Sequence, residues 1–173
     1  MTRKKKEYLF VDGYNIINQW DYLRKSLDNI EECRNKLIDD LVEYQVFKGI
    51  HVIVVFDAHL VKGNSEKKEY KAGLEIVYTK ESETADSYIE KQLDKIGRYE
   101  KVQVATSDNC VQQIVLARGG TRLSARELYL EIKDTKKEIR RKTDKIINNN
   151  TNIEQIIDRK TLKKLEKIRR LPR

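Results

Sequence analysis

The sequence is poor in most of the residues that mark specialised chemistry. Among its 173 residues are two cysteines, two histidines, one proline and one tryptophan. Cys33 and Cys110 form neither a CxxC pair nor a disulfide framework, and with only His51 and His59 to accompany them no zinc-site spacing exists. Both thiols therefore read as buried and reduced, His51 as a structural residue at a strand entrance, and His59, two residues after Asp57, as a loop or core residue in preference to a phosphate contact. Any metal must be a hard cation on oxygen ligands. Long apolar runs are also missing. Val52 to Phe56 is far shorter than the roughly 20 residues that cross a bilayer, and no secretory h-region follows Arg3, Lys4, Lys5 and Lys6. No membrane attachment and no nucleotide cofactor are expected, and the expected location is the cytoplasm. No internal repeat is evident, and the Asn148 to Asn150 run is too short to count as low complexity.

Charge, by contrast, is abundant. Lys and Arg number 36 against 28 Asp and Glu, a net +8 that suggests a polyanionic partner. Its distribution says more than its sum. Residues 133–173 carry 15 basic and 6 acidic residues, or +9, which leaves 21 basic and 22 acidic residues, or −1, in residues 1–132. The expected organisation is a near-neutral domain over 1–132 and a basic, mostly helical extension over 133–173. The extension has a stripe at Ile132, Ile139 and Ile146, a break at Asn148 to Thr151, and a second stretch through Leu162, Leu165 and Ile168 ending at Pro172.

Within the body, β-branched runs alternate with helical patterns. Strands are expected at Tyr8 to Val11, His51 to Phe56, Leu74 to Tyr78, Val102 to Thr106 and Thr121 to Leu123. Helices are expected around Cys33, Leu37, Leu41 and Tyr44, from Ala85 to Ile96, and from Asn109 to Arg118. Ser124 with Glu127 is a capping-box signature for another helix. Strands separated by helices predict an α/β domain with a doubly wound, mainly parallel sheet flanked by helices.

In such sheets ligands bind outside the carboxyl ends of the strands, and acids collect there. Asp12 follows the first strand, Asp57 the second and Asp108 the fourth, while Asp86 lies a few residues beyond the third. Singly, Asp108 reads as an N-cap, Asp86 as a favourable charge in a first helical turn and Asp57 as a turn residue. Together they ask for a common reason. Asp86 precedes Ile89 by three and Leu93 by seven, which puts it on the buried helical face, where an acid is costly without a counter-charge. A divalent cation such as Mg²⁺ or Mn²⁺ supplies one and shares its oxygen ligands with a phosphate substrate. Asn15, after the turn that Gly13 permits, reads either as an orienting group for a metal-bound water or a carboxylate, or as a local turn residue. Thr84, Thr106 and Ser107 read as acid-orienting hydroxyls or as ordinary caps.

The segments Val11-Asp12-Gly13-Tyr14-Asn15-Ile16-Ile17, Val54-Val55-Phe56-Asp57-Ala58-His59, Glu83-Thr84-Ala85-Asp86 and Ala105-Thr106-Ser107-Asp108 together resemble the bacterial YacP-like NYN-domain proteins, in order across nearly the whole chain. The resemblance implies a PIN-like fold and an endoribonuclease that acts on messenger RNA at the ribosome decoding site during translation. It implies Asp12 and Asp86 as the essential acids, with Asp57, Asp108 and Asn15 at further motif positions, and Asp12, Asp86 and Asp108 as metal ligands. The family pattern has an aromatic near its final basic cluster, whereas Glu166, Lys167, Ile168, Arg169 and Arg170 contain none.

The reaction expected is hydrolysis of an RNA phosphodiester by a metal-activated water. RNA or ribosome contacts are expected from Lys62, Lys67, Lys68 and Lys71 in a loop after the second strand, from Arg122 and Arg126, and from Arg169 and Arg170 in the tail. A monomer is the favoured state. Two other classes share parts of this pattern. A phospho-acceptor receiver domain requires an acidic pair after the first strand and a lysine after the last, and the sequence has Gly13 and Ser124-Ala125 there. The second is a non-catalytic ribosome- or RNA-binding module with a PIN-like fold.

Overall fold

The five segments expected as strands become five strands of a six-stranded sheet. The computed structural model describes residues 5–26, 29–57, 66–96 and 99–156. The elements run β1 (Glu7–Asp12), α1 (Gly13–Gln19), α2 (Asp21–Ser26), α3 (Ile30–Lys48), β2 (His51–Phe56), β3 (Lys67–Lys71), β4 (Leu74–Tyr78), α4 (Ala85–Ile96), β5 (Lys101–Ala105), α5 (Asn109–Ala117), β6 (Thr121–Leu123) and α6 (Ala125–Ile156). The strand order is β3-β4-β2-β1-β5-β6. All neighbours are parallel except β3 and β4, which form an antiparallel hairpin. The chain divides into units of residues 1–135 and 136–173. In the second, helix α6 runs to Ile156, and Ile146 and Ile147 are exposed.

Buried strands with apolar residues on both sides need cover on both faces. Leu9, Val11, Val52, Val54 and Phe56 pack on one face with Ile16, Leu37, Leu41, Tyr44 and Leu128 from α1, α3 and α6. Phe10, Ile53, Val55 and Val104 pack on the other with Tyr88, Ile89, Leu93, Val111 and Val115 from α4 and α5. Caps set the helix bounds. Asn29 opens α3 by accepting from the Glu32 N–H, and Gly49, at φ 66°, closes it in the left-handed region that glycine adopts without strain. The expected capping box forms: the Ser124 N–H donates to Glu127 Oε2 at 2.7 Å, and the Glu127 N–H donates to Ser124 Oγ at 3.2 Å.

Several expectations need correction. Lys67, Lys68 and Lys71 belong to edge strand β3, not to a loop. The Ala72–Gly73 turn, with φ 48° and 87°, has the positive φ pair of a two-residue hairpin, and backbone pairing with β4 supplies the order that the polar side chains do not. Lysines on an edge strand also guard it against pairing with other chains. No break falls at Asn148 to Thr151, because Asn and Thr lower helix propensity by only about 0.5 kcal/mol each and neither Gly nor Pro stands there. Cys33 is buried as expected, but Cys110 is exposed in the first turn of α5. The short helices α1 and α2 add to the expected set. His51 stacks on Tyr8 at 5.4 Å, and His59, Lys62, Arg169 and Arg170 lie outside the described residues.

Candidate active site

The site begins with a topological fact. From β1 the chain passes to β2 and β4 on one side of the sheet, then returns to β5 and β6 on the other, so the order reverses between β1 and β5. Connections leaving those two strands therefore diverge and open a crevice at their carboxyl ends. Asp12 ends β1, Asp57 follows β2, and Asp108 stands between β5 and α5, while the first turn of α4 brings in Asp86.

Asp12 is 9% exposed, and its Oδ1 caps α1 by accepting from the Asn15 N–H at 3.2 Å. Burial pushes its pKa up from 3.8 to about 7. The Asn15 N–H opposes that rise, and the negative fields of Asp86, Asp57 and Asp108 reinforce it. Close packing keeps the turn after Asp12 tight. A Cβ on Gly13 would collide with the fully buried ring of Phe56, so only glycine lets the chain enter α1 there.

Asp86 is half-buried, and its Oδ1 is buried with no hydrogen-bond partner. Its pKa is also raised, first by burial and then by Asp108, Asp57 and Glu90. Glu90, one turn further along α4, is an acid that the sequence reading missed. Its i+4 spacing from Asp86 was the available signal, and it pairs with Arg118 at 3.4 Å.

The remaining motif residues hold the crevice together. Asp57 Oδ1 accepts from the Ala85 N–H at 2.6 Å and so fixes the start of α4 and the backbone that carries Asp86. Thr84 Oγ1 caps the same helix through the Ser87 N–H. Asp108 is exposed and caps α5 by accepting from Cys110 and Val111, and its own N–H donates to Thr106 Oγ1. Asn15 Oδ1 accepts from the Ser107 N–H at 2.9 Å and ties the end of β1 to the end of β5 across the switch point. Asp57 thus acts on the site through α4. Asp57→Ala is expected to lower stability by about 1–2 kcal/mol and to displace Asp86, whereas Asp57→Asn keeps an acceptor and loses less. Thermal unfolding of the two variants checks this.

The donor set suits a hard divalent cation: two carboxylates, Asp12 and Asp86, whose pKa values burial and neighbouring acids raise, and one orphaned buried oxygen. Among the described residues no group of three His, Cys, Asp or Glu side chains is arranged to hold an ion unaided.

The expected RNA-contact lysines are largely engaged elsewhere. Lys67 pairs with Glu69, Lys68 with Glu75 and Glu66, and Lys71 with Asp39. Arg122 donates to Gln112 Oε1, while Arg126 is exposed and has no partner among the described residues. Arg34 is a further cation that the sequence reading missed. It lies 5.9 Å over the Tyr78 ring and restrains the rise that burial causes in the Tyr14 pKa.

A doubly wound, mainly parallel sheet flanked by helices, with acids at the strand ends beside its switch point, is the PIN-like α/β fold. Residues 9–170 match the family described as the YacP-like NYN domain, and the chain belongs to that family. It is 41% identical over 166 residues to the uncharacterised protein YacP of Bacillus subtilis, covering 95% of this chain and 97% of that one. It is also similar to the crystal structure of Rae1 (YacP) from Bacillus subtilis, with a TM-score of 0.73 and 41% identity over 94% of each chain. A tryptophan-to-leucine variant of that protein matches at a TM-score of 0.73 and 38% identity, over 87% of this chain and 89% of that one. Among the described residues no helix is long and apolar enough to cross a membrane.

Proposed function

We propose that this protein is a divalent-metal-dependent endoribonuclease that cleaves messenger RNA at the ribosome decoding site during translation. The observation that carries the proposal is the crowding of Asp12, Asp86, Asp57 and Asp108 at one sheet edge, with Asp12 pushed up to about 7 and Asp86 Oδ1 left without a partner. Helix capping accounts for Asp12, Asp57 and Asp108 one by one, but it leaves Asp86 Oδ1 buried without a partner beside them. When bound there by Asp12 and Asp86, with Asp108 beside them, Mg²⁺ or Mn²⁺ supplies an activated water and offsets charge developing on the phosphate.

The chain's own residues do the positioning. The Asn15–Ser107 bond holds the β1 and β5 ends in register, and the Asp57–Ala85 bond holds α4 so that Asp86 faces the crevice. Arg34 and Arg126 have no carboxylate partner among the described residues, which suits them to backbone phosphates. Lys67, Lys68 and Lys71 can join them only by leaving ion pairs, a small cost at the surface of about 0–1 kcal/mol each.

One observation favours the non-catalytic binding module, namely the lack of a ready three-ligand group among the described residues. Hard-cation chemistry answers it, since phosphate and water complete the coordination shell. Ribosome dependence is tested by comparing cleavage of one messenger with and without translating ribosomes. The cut is expected only with ribosomes, and equal rates on naked RNA would reject that part of the proposal. The +9 extension is assigned to phosphate contacts. Removing residues 148–173 is expected to weaken ribosome association and flatten its salt dependence, as binding at several salt concentrations would show.

A further inference from the structure

Beside the acids lies a feature the reaction does not use. A cavity of about 460 Å³ opens where the ends of β5 and β6 approach α1, α2 and the first turn of α6. Trp20, Tyr22 and Tyr129 line it, with Ser107, Ser124 and Arg126 as polar members. The rings form one cluster. Trp20 stacks on Tyr22 with centroids 5.6 Å apart, and Tyr129 lies 5.7 Å from each of them. The polar atoms of two rings are already committed, as Trp20 Nε1 donates to the Ala125 carbonyl at 2.8 Å and Tyr22 Oη donates to Asp40 Oδ2 at 2.8 Å. What remains for a ligand is the surface of the Tyr22 and Tyr129 rings, since Trp20 is buried behind them.

Two residues connect this cavity to the acidic edge. Ser107 lines it, precedes Asp108, and donates its N–H to Asn15 Oδ1. Arg126 adds a positive charge with no partner among the described residues. Aromatic faces beside a free guanidinium suit a planar heterocycle on an anionic backbone, because every base has a π-face to stack and every nucleotide a phosphate. The volume falls within the roughly 300–1,000 Å³ of small-ligand sites. The geometry points to a nucleobase subsite: the cavity takes one unpaired base of the RNA strand that lies across the acids, set against the partly exposed Tyr22 and Tyr129 rings with Trp20 buried behind them, while Arg126 holds an adjoining phosphate. The inference rests on the endoribonuclease reading and adds to it a place where a neighbouring nucleotide is gripped.

The test uses a built-in probe. Trp20 is the chain's one tryptophan, so its emission reports on the cavity. The full chain carrying Asp86→Asn, which spares the RNA, is titrated with a short 5′-labelled single-stranded oligoribonucleotide and with its abasic counterpart. Label anisotropy and Trp20 fluorescence are followed together. The intact strand is expected to bind and quench Trp20. The abasic strand is expected to bind about tenfold more weakly, without quenching. Tyr129→Ala should bring the intact strand to the abasic level, Tyr129→Phe should restore it, and Arg126→Gln should lower the salt dependence. Arg126 is exposed, so that variant reads the site even if Tyr129→Ala misfolds. If both strands bind equally and Trp20 emission does not move, the subsite is wrong and the RNA reading stands. If neither strand changes the anisotropy, with or without ribosomes, the endoribonuclease reading falls and takes the subsite with it.

Discussion

Asp86→Asn is expected to lower RNA cleavage by about a thousandfold, the several kcal/mol that a metal centre contributes to phosphoryl-transfer transition states. Thermal stability should be unchanged or higher. The loss follows from charge, since an amide is nearly the same size as a carboxylate but cannot neutralise a cation. The retained stability follows from what Asp86 does in the fold. The start of α4 is fixed by Thr84 and Asp57, and Asp86 Oδ1 has no hydrogen-bond partner to lose. Burial and neighbouring acids raise its pKa, so the ionised form is a burden on the folded state. A paired measurement of cleavage rate and melting temperature checks both halves. A variant that loses activity because it unfolds would contradict the reading of Asp86 as a functional acid.

Asp12→Asn should go further and stabilise the protein at neutral pH while abolishing cleavage. The Asp12 carboxyl has a pKa of about 7 in the fold against the ordinary 3.8. Below the lower value both states keep the proton and no penalty exists. As pH rises between the two values the unfolded chain releases its proton and the folded one does not, so stability falls, and above about pH 7 the full penalty stands. A shift of this size corresponds to something on the order of 2–4 kcal/mol. Asparagine removes that penalty and can still accept from the Asn15 N–H. The expected rise in melting temperature at pH 7.5 is roughly 5–10 °C, shrinking toward pH 4. Added Mg²⁺ should raise the wild-type melting temperature by binding the native state and leave this variant nearly unmoved. Equal pH dependence in the two proteins would refute the burial argument.

These two acids were legible for different reasons: Asp12 stands at the end of the β-branched run of β1, while Asp86 shares the helical face of Ile89 and Leu93, where an acid stands out. The roles of Asp57 and Asn15 were harder to read. Each works through a long-range partner, Ala85 or Ser107, and neither pairing leaves a periodic trace. Strand β3 was hidden because Lys-Lys-Glu-Tyr-Lys has no apolar alternation, and its order comes from the backbone of β4. The aromatic cavity was hidden for a related reason. Trp20 and Tyr22 lie more than a hundred positions from Tyr129, and only the packing of α2 against the start of α6 brings the rings together. Local pattern exposes elements and their terminal residues, whereas contacts between distant elements become visible only in the fold.

The most direct test follows one messenger in a reconstituted translation reaction containing Mg²⁺, with wild-type protein and with Asp86→Asn at equal ribosome occupancy. The account predicts discrete internal cuts with the wild type, their loss on chelation or without ribosomes, and none with the variant. Cuts of equal yield with Asp86→Asn, or a wild type that binds translating ribosomes and never cuts, would contradict it.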